Sequence, residues 1–174
     1  MSLLFNNKYR IPSTRLQNWN DSNEAMYFVK ICTKNRENYF GEIFDSIIQP
    51  TEIGKIAYTE WYKTIELRPD MNLESGEFVV MPNHIHGIIE INRLRIQRTS
   101  PLDVSSNKIK TLSELMGAYK TTVSKQIHLK GYLGFAWQRS YYENIIRNEI
   151  AHCKISDYIV NNPARWNSDK FNMK

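Results

Sequence analysis

Residues Glu77 to Ile91 read E-F-V-V-M-P-N-H-I-H-G-I-I-E-I, and this stretch restricts the fold more than any other in the chain. The apolar run E-F-V-V-M and the segment H-I-H-G-I-I-E-I each suit a strand, and Pro82-Asn83 between them suits a tight turn. A further strand is predicted over Met26 to Thr33, which is rich in β-branched and aromatic residues. From Thr51, apolar residues recur at Ile53, Ile56, Ala57, Trp61 and Ile65, the spacing of a helix with one buried stripe. Thr111-Leu-Ser-Glu114 matches a capping box, and its helix would bury Leu112, Leu115, Met116, Tyr119, Val123 and Ile127. Lys120, Ser124, Lys125 and His128 are left on a basic far side. Phe135 to Ile146 has strand character, and Asn148 can cap a last helix that must end near Asn162, because Pro163 disfavours the α conformation before it. The order β-α-β-β-α-β-α predicts an α+β, ferredoxin-like (split β-α-β) antiparallel sheet with helices packed on it. A single domain over residues 1–174 is expected, with its core at about 26–166.

Charge is unevenly spread. The chain of 174 residues carries 23 Lys plus Arg against 18 Asp plus Glu, a net +5. Between Asn92 and Lys130 eight basic residues meet Asp103 and Glu114 alone, a local +6 that leaves the rest of the chain near neutral. A polyanion partner or a solvated loop and helix face would both explain this. Residues 92–110, polar and aperiodic around Ser100-Pro101, predict a mobile basic loop. Cys32 and Cys153 form no C-x-x-C pattern and are expected as small core residues in a reducing compartment. No apolar run approaches 18 residues, so a cytoplasmic protein without membrane contact is expected.

His84-Ile85-His86 is the triplet with most chemistry. On a strand the two imidazoles project together while Ile85, Ile89 and Ile91 face the core, and Cβ positions about 7 Å apart suit one divalent cation. Two unrelated surface histidines would give the same pattern. There is no glycine-rich phosphate loop, no G-x-S-x-G and no carboxylate cluster of the kind a two-metal nuclease requires.

M-P-N-H-I-H-G-I-I-E-I resembles the His-hydrophobic-His motif of the short tyrosine transposases, including the REP-associated tyrosine transposases. Y-F-V-K-I-C-T-K-N-R, W-Q-R-S-Y-Y-E-N-I-I-R-N-E and D-Y-I-V-N-N-P extend the resemblance from roughly Tyr27 to Trp166. It implies a metal-dependent DNA transposase in which paired histidines hold Mg²⁺ or Mn²⁺ at the scissile phosphate of single-stranded DNA. A helical tyrosine then attacks, leaving a 5′-phosphotyrosine link and a free 3′-hydroxyl, and the strand is later rejoined. The family's tyrosine, just ahead of an N-P step, corresponds to Tyr158 on the C-terminal helix. Four residues on, Asn162 matches the family's third metal ligand, where related enzymes use glutamine; positions i and i+4 share a helix face. Metal ligation is thus carried to His84, His86 and Asn162.

Tyr141 and Tyr142 are the rival nucleophiles; either could instead pack in the core or stack on bases. Lys120, Lys125, Lys154, Arg139 and Trp137 are the candidate DNA contacts, Trp137 being equally suited to a buried role. The family implies hairpin or palindromic DNA ends, and a homodimer in its insertion-sequence branch, where the tyrosine helix serves the partner's histidines. A non-catalytic, domesticated single-strand or hairpin DNA-binding protein of the same fold is the alternative, and a metal-dependent phosphoester hydrolase is a third.

Overall fold

The computed structural model describes residues 25–92, 111–169 and 172. The stretch expected as a basic loop therefore falls, from 93 to 110, outside the described residues. In chain order the elements are β1 (Ala25–Cys32), β2 (Gly41–Phe44), β3 (Ile47–Pro50), α1 (Glu52–Glu66), β4 (Leu73–Met81), β5 (His84–Ile91), α2 (Leu112–Leu129), β6 (Tyr142–Ile146) and α3 (Glu149–Val160). The main sheet has the order β4-β5-β1-β6, with every neighbouring pair antiparallel. β1-α1-β4 and β5-α2-β6 are thus two split β-α-β units that interdigitate, the ferredoxin-like arrangement the pattern predicts.

Local chemistry explains most of the element boundaries. Thr51 caps α1 by accepting from the Gly54 amide at 3.1 Å. At α2 the Thr111 hydroxyl accepts from the Glu114 amide at 3.2 Å while the Glu114 carboxylate accepts from the Thr111 amide at 2.9 Å, so both halves of the capping box form. Asn148 caps α3 through the Ala151 amide at 2.8 Å.

The sheet buries both faces. Tyr27, Val29, Ile31, Ile85, Ile89 and Ile91 pack under α1 and α2, and the α2 residues they meet include all six of its expected apolar stripe. On the opposite face Phe28, Ile88 and Ile146 pack under Ile159 of α3, with Ile155 and Tyr158 beside them. Among the described residues no helix is long and apolar enough to cross a membrane.

Three features depart from the expected pattern. The hairpin β2–β3 was not foreseen; its turn, Asp45-Ser46, places both residues at positive φ (48° and 64°), as a two-residue hairpin of type I′ geometry requires, without the glycine that normally signals one. The strand expected from Phe135 is formed only over Tyr142–Ile146. Upstream, Phe135 and Trp137 turn inward against Phe40, at ring centroid distances of 5.9 and 5.3 Å, and aromatic packing replaces the ladder. One bridge, Thr33 to Trp137, remains. Cys153 is exposed rather than a core residue, because its position on α3 faces away from the sheet; Cys32 is buried as expected.

Trp61 of α1 stacks on Phe78 at 4.4 Å, and its indole donates to Ser75 Oγ at 3.0 Å. Gly87 makes the room: a Cβ there would lie 2.6 Å from Trp61 Cζ2 and 3.0 Å from Phe78 Cδ2. Gly87→Ala is expected to overpack this joint and cost about 2 kcal/mol, lowering the thermal midpoint by about 4–8 °C. Calorimetry or thermal circular dichroism checks this, and an unchanged midpoint would refute it.

Candidate active site

β5 is an inner strand of the sheet, so its side chains are enclosed on both faces. Register with β1 pairs Lys30 with His86 and Cys32 with His84. Both histidines are 0% exposed, which removes the expectation of two unrelated surface histidines. The rings converge instead of standing parallel: their Nε2 atoms are 2.8 Å apart and the ring planes meet at 87°. Phe28 stacks on His86 at 5.5 Å, and the indole of Trp166 stands 6.0 Å from His84. Burial, with the nearby Lys30 and Arg36 cations, pushes the His84 pKa down to about 3. Burial and His84 itself hold His86 well below its ordinary value. Both rings are therefore neutral at pH 7, the form in which a nitrogen can ligate a metal.

Helix α3 crosses this face. Its position is set by the Asn148 cap and by Ser156, whose hydroxyl donates to Glu77 Oε2 at 2.7 Å. Glu77 sits where the β4–β5 register shifts, and this bulge turns it toward α3; the Ser156 bond holds its carboxyl below the usual range. Two residues beyond Ser156, the Tyr158 ring meets His86 edge to face at 5.1 Å and Phe28 at 6.2 Å. Phenol and imidazoles come from one chain.

Asn162 lies just past the helix end, with Asn161 as the C-cap, but keeps αR dihedrals (φ −60°, ψ −42°) before the 3-10 turn Pro163–Ser168. The i,i+4 relation to Tyr158 thus survives. Burial, with Asp169, raises the Tyr158 pKa above its ordinary value, and the Asn162 side chain offsets this only in part. Asn162 is 1% exposed, and its Oδ1 has no hydrogen-bond partner. Among the described residues no group of three or more His, Cys, Asp or Glu could hold a metal, and burial raises the Cys32 pKa, keeping that thiol protonated.

The rival tyrosines part ways. Tyr142 shares the histidine face, paired with Lys30 on the far side of β1 from His86, and is 42% exposed. Tyr141 points to the other face, part-buried, with its hydroxyl 3.5 Å from Ser113 Oγ. Lys154 is exposed on α3, one turn before Tyr158.

Trp137 takes the structural role: it packs on Phe40, Phe135 and Tyr119, and its indole donates to the Lys120 carbonyl at 3.2 Å. Lys120 Nζ donates to the carbonyls of Gln138 at 2.6 Å and Arg139 at 3.2 Å, bracing that segment, and burial lowers its pKa. Lys120, Lys125, His128, Trp137 and Arg139 line an open trough between α2 and residues 136–139. A second trough on the other side of the same segment is lined by Lys34, Asn35 and Arg36. Among the described residues no acidic side chain lines either. Sequence reasoning missed Lys34 and Arg36, although T-K-N-R offered two cations at a strand end. It also missed Phe28 and Trp166, whose contacts are tertiary, and Asn83, which joins the distant Arg36 carbonyl to the adjacent His84.

No protein-family model matches the chain. A Haemophilus influenzae protein described only as uncharacterised is 33% identical over 165 residues, 91% of each chain. Among solved structures, a REP-associated tyrosine transposase bound to a REP hairpin superposes with a TM-score of 0.54 at 18% identity, over 91% of this chain and 73% of that one. The chain belongs to one family with the Haemophilus influenzae protein, and its fold is that of the tyrosine transposases.

Proposed function

We propose that this protein is a metal-dependent DNA transposase that cleaves and rejoins single-stranded DNA through Tyr158. The observation that carries the reading is the contact of the Tyr158 ring with His86, 5.1 Å between centroids, beside a second imidazole whose Nε2 lies 2.8 Å from that of His86. That nitrogen spacing is close to what two adjacent ligands at about 2.1 Å from one ion would require. Two neutral nitrogens and the Asn162 amide oxygen form a donor set acceptable to Mg²⁺ or Mn²⁺, with coordination positions left for phosphate and water. Such an ion, when bound, stabilises charge on the phosphoryl oxygens and favours the phenolate.

The chain's own residues supply the rest. Asn162, one turn beyond Tyr158, partly offsets the burial that disfavours loss of the phenol proton. Tyr158 Oη then attacks phosphorus, the bond from phosphorus to the 3′ oxygen breaks, and that oxygen takes up a proton as a free 3′-hydroxyl. The 5′-phosphotyrosine formed conserves the bond energy, and attack by a 3′-hydroxyl reverses the step. Phe28 and Trp166 lie against the imidazoles and limit water at the histidines. Because phenol and imidazoles share one chain, the reading needs no second subunit.

Single-stranded DNA with a hairpin end is the proposed substrate, in keeping with the hairpin bound to the structural neighbour. Lys125 and Arg139, with Lys34 and Arg36 across the 136–139 segment, would neutralise backbone phosphates, and Lys154 would do so beside the nucleophile. One observation favours the second reading, a non-catalytic hairpin-binding relative: the histidine pair is fully enclosed while both basic troughs are open.

Incubation with Mn²⁺ and a labelled oligonucleotide carrying the hairpin and flanking single strand from beside the gene is expected to give a denaturation-resistant adduct. Tyr158→Phe should lower its yield at least about 100-fold, whereas Tyr142→Phe and Tyr141→Phe should leave it within a few fold. Binding that persists in EDTA without any adduct in Mn²⁺ would instead select the non-catalytic reading. Lys125→Ala and Arg139→Ala are each expected to weaken binding and to reduce the slope of log K against log salt by about 1, measured by fluorescence anisotropy. An unchanged slope would remove that residue from the backbone contact.

A further inference from the structure

The turn that joins β4 to β5 holds a buried amide with no role in closing the turn. Asn83 is 0% exposed, and its backbone is already secured: Thr33 donates to the Asn83 carbonyl from both its amide, at 2.9 Å, and its hydroxyl, at 3.0 Å. Phe40 donates to the neighbouring Pro82 carbonyl at 2.9 Å. The side chain is committed elsewhere. Its Nδ2 donates to the Arg36 carbonyl at 3.1 Å, and its Oδ1 lies 2.8 Å from His84 Nδ1.

The first of these bonds decides the second. A carbonyl can only accept, so the amide nitrogen must face Arg36 and the amide oxygen must face the ring. An oxygen 2.8 Å from Nδ1 then requires Nδ1 to carry the proton, which leaves the lone pair of a neutral His84 on Nε2. That is the atom 2.8 Å from Nε2 of His86. The Arg36 carbonyl is itself delivered by an unfavourable backbone: Asn35 and Arg36 are consecutive non-glycine residues at φ 54° and 57°. Left-handed residues of this kind persist where surrounding contacts hold them, and they concentrate at sites where geometry must be fixed.

We propose that Asn83 is a positioning residue which, anchored on the Arg36 carbonyl, fixes His84 as the Nδ1–H tautomer and so commits its Nε2 to a divalent cation shared with His86. The inference rests on the metal-dependent reading above and adds the device that orients one of its ligands. A metal-bound imidazole that donates its other N–H to a fixed acceptor is held in both tautomer and ring angle, and loss of such an acceptor commonly weakens metal binding 10- to 100-fold. Asn83→Asp keeps an acceptor for Nδ1–H, whereas Asn83→Ala removes it.

Long-range ¹H–¹⁵N correlation spectra of the labelled full chain read the tautomer without any metal, and titration with Mn²⁺ alone, following free Mn²⁺ by electron paramagnetic resonance, reads affinity. In the wild-type chain His84 is expected as the Nδ1–H tautomer; an Nε2–H form would overturn the proposal whatever the variants do. Asn83→Ala should spread His84 over both tautomers and weaken Mn²⁺ binding about 10- to 100-fold, while Asn83→Asp, which loses the bond to the Arg36 carbonyl but keeps the acceptor, should retain Nδ1–H and bind more tightly than Asn83→Ala. Wild-type-like tautomer and affinity in Asn83→Ala would overturn the inference and leave the metal-dependent reading standing. An Nδ1–H tautomer in a wild-type chain that binds no Mn²⁺ would overturn the cation's part in both.

Discussion

Strand β5 has a hydrogen-bonded neighbour on each edge and helices over each face, and everything at the candidate site follows from that enclosure. Alternation sends Ile85, Ile89 and Ile91 under α1 and α2 and sends His84 and His86 to the face that α3 covers. A buried imidazole is held neutral because a charged ring has no water to solvate it. Burial therefore does two things at once: it presents two neutral nitrogens side by side, and it leaves hydrogen bonds as the means of orienting them. Asn83 supplies one such bond to His84. His86 Nδ1 is buried without a partner, so its ring is oriented by stacking on Phe28.

The ferredoxin-like sheet alone would leave this second face open. Helix α3 closes it with Ile155 and Ile159 against Phe28, Ile88 and Ile146, and the same packing brings Tyr158 to His86. The bond from Ser156 to Glu77 fixes how far along the sheet the helix sits, two residues from the phenol. Just beyond the helix, Pro163 opens a 3-10 turn that folds Trp166 back over His84. The elements that close the hydrophobic face are those that assemble the site, so stability and site geometry are coupled through one helix.

Much of this was legible in the sequence. Alternation around Pro82-Asn83 gave the strand pair and the shared face of the histidines. Three helix starts were written in Thr51, the Thr111–Glu114 box and Asn148, because side-chain caps are local chemistry. The separation of four between Tyr158 and Asn162 carried over to a common face even though the helix ends between them. What could not be read depended on partners distant in sequence. The strand character of Phe135 to Tyr141 gave way to aromatic packing against Phe40, about a hundred residues upstream. Lys120, expected on a basic outer face, braces two carbonyls of that segment. The hairpin β2–β3 turns on Asp45-Ser46, a pair that seldom signals such a turn. Convergence of the imidazoles to 2.8 Å is a matter of ring rotation, on which strand periodicity is silent.

Crystals grown with Mn²⁺ and examined by anomalous scattering test most directly whether the two imidazoles and the helix bearing the phenol surround one cation. A single strong peak within about 2.5 Å of both Nε2 atoms, with the Asn162 oxygen or the Tyr158 hydroxyl in the same coordination sphere, is the expected result. Anomalous density bound elsewhere on the chain, with the two Nε2 atoms still hydrogen-bonded to each other, would contradict it.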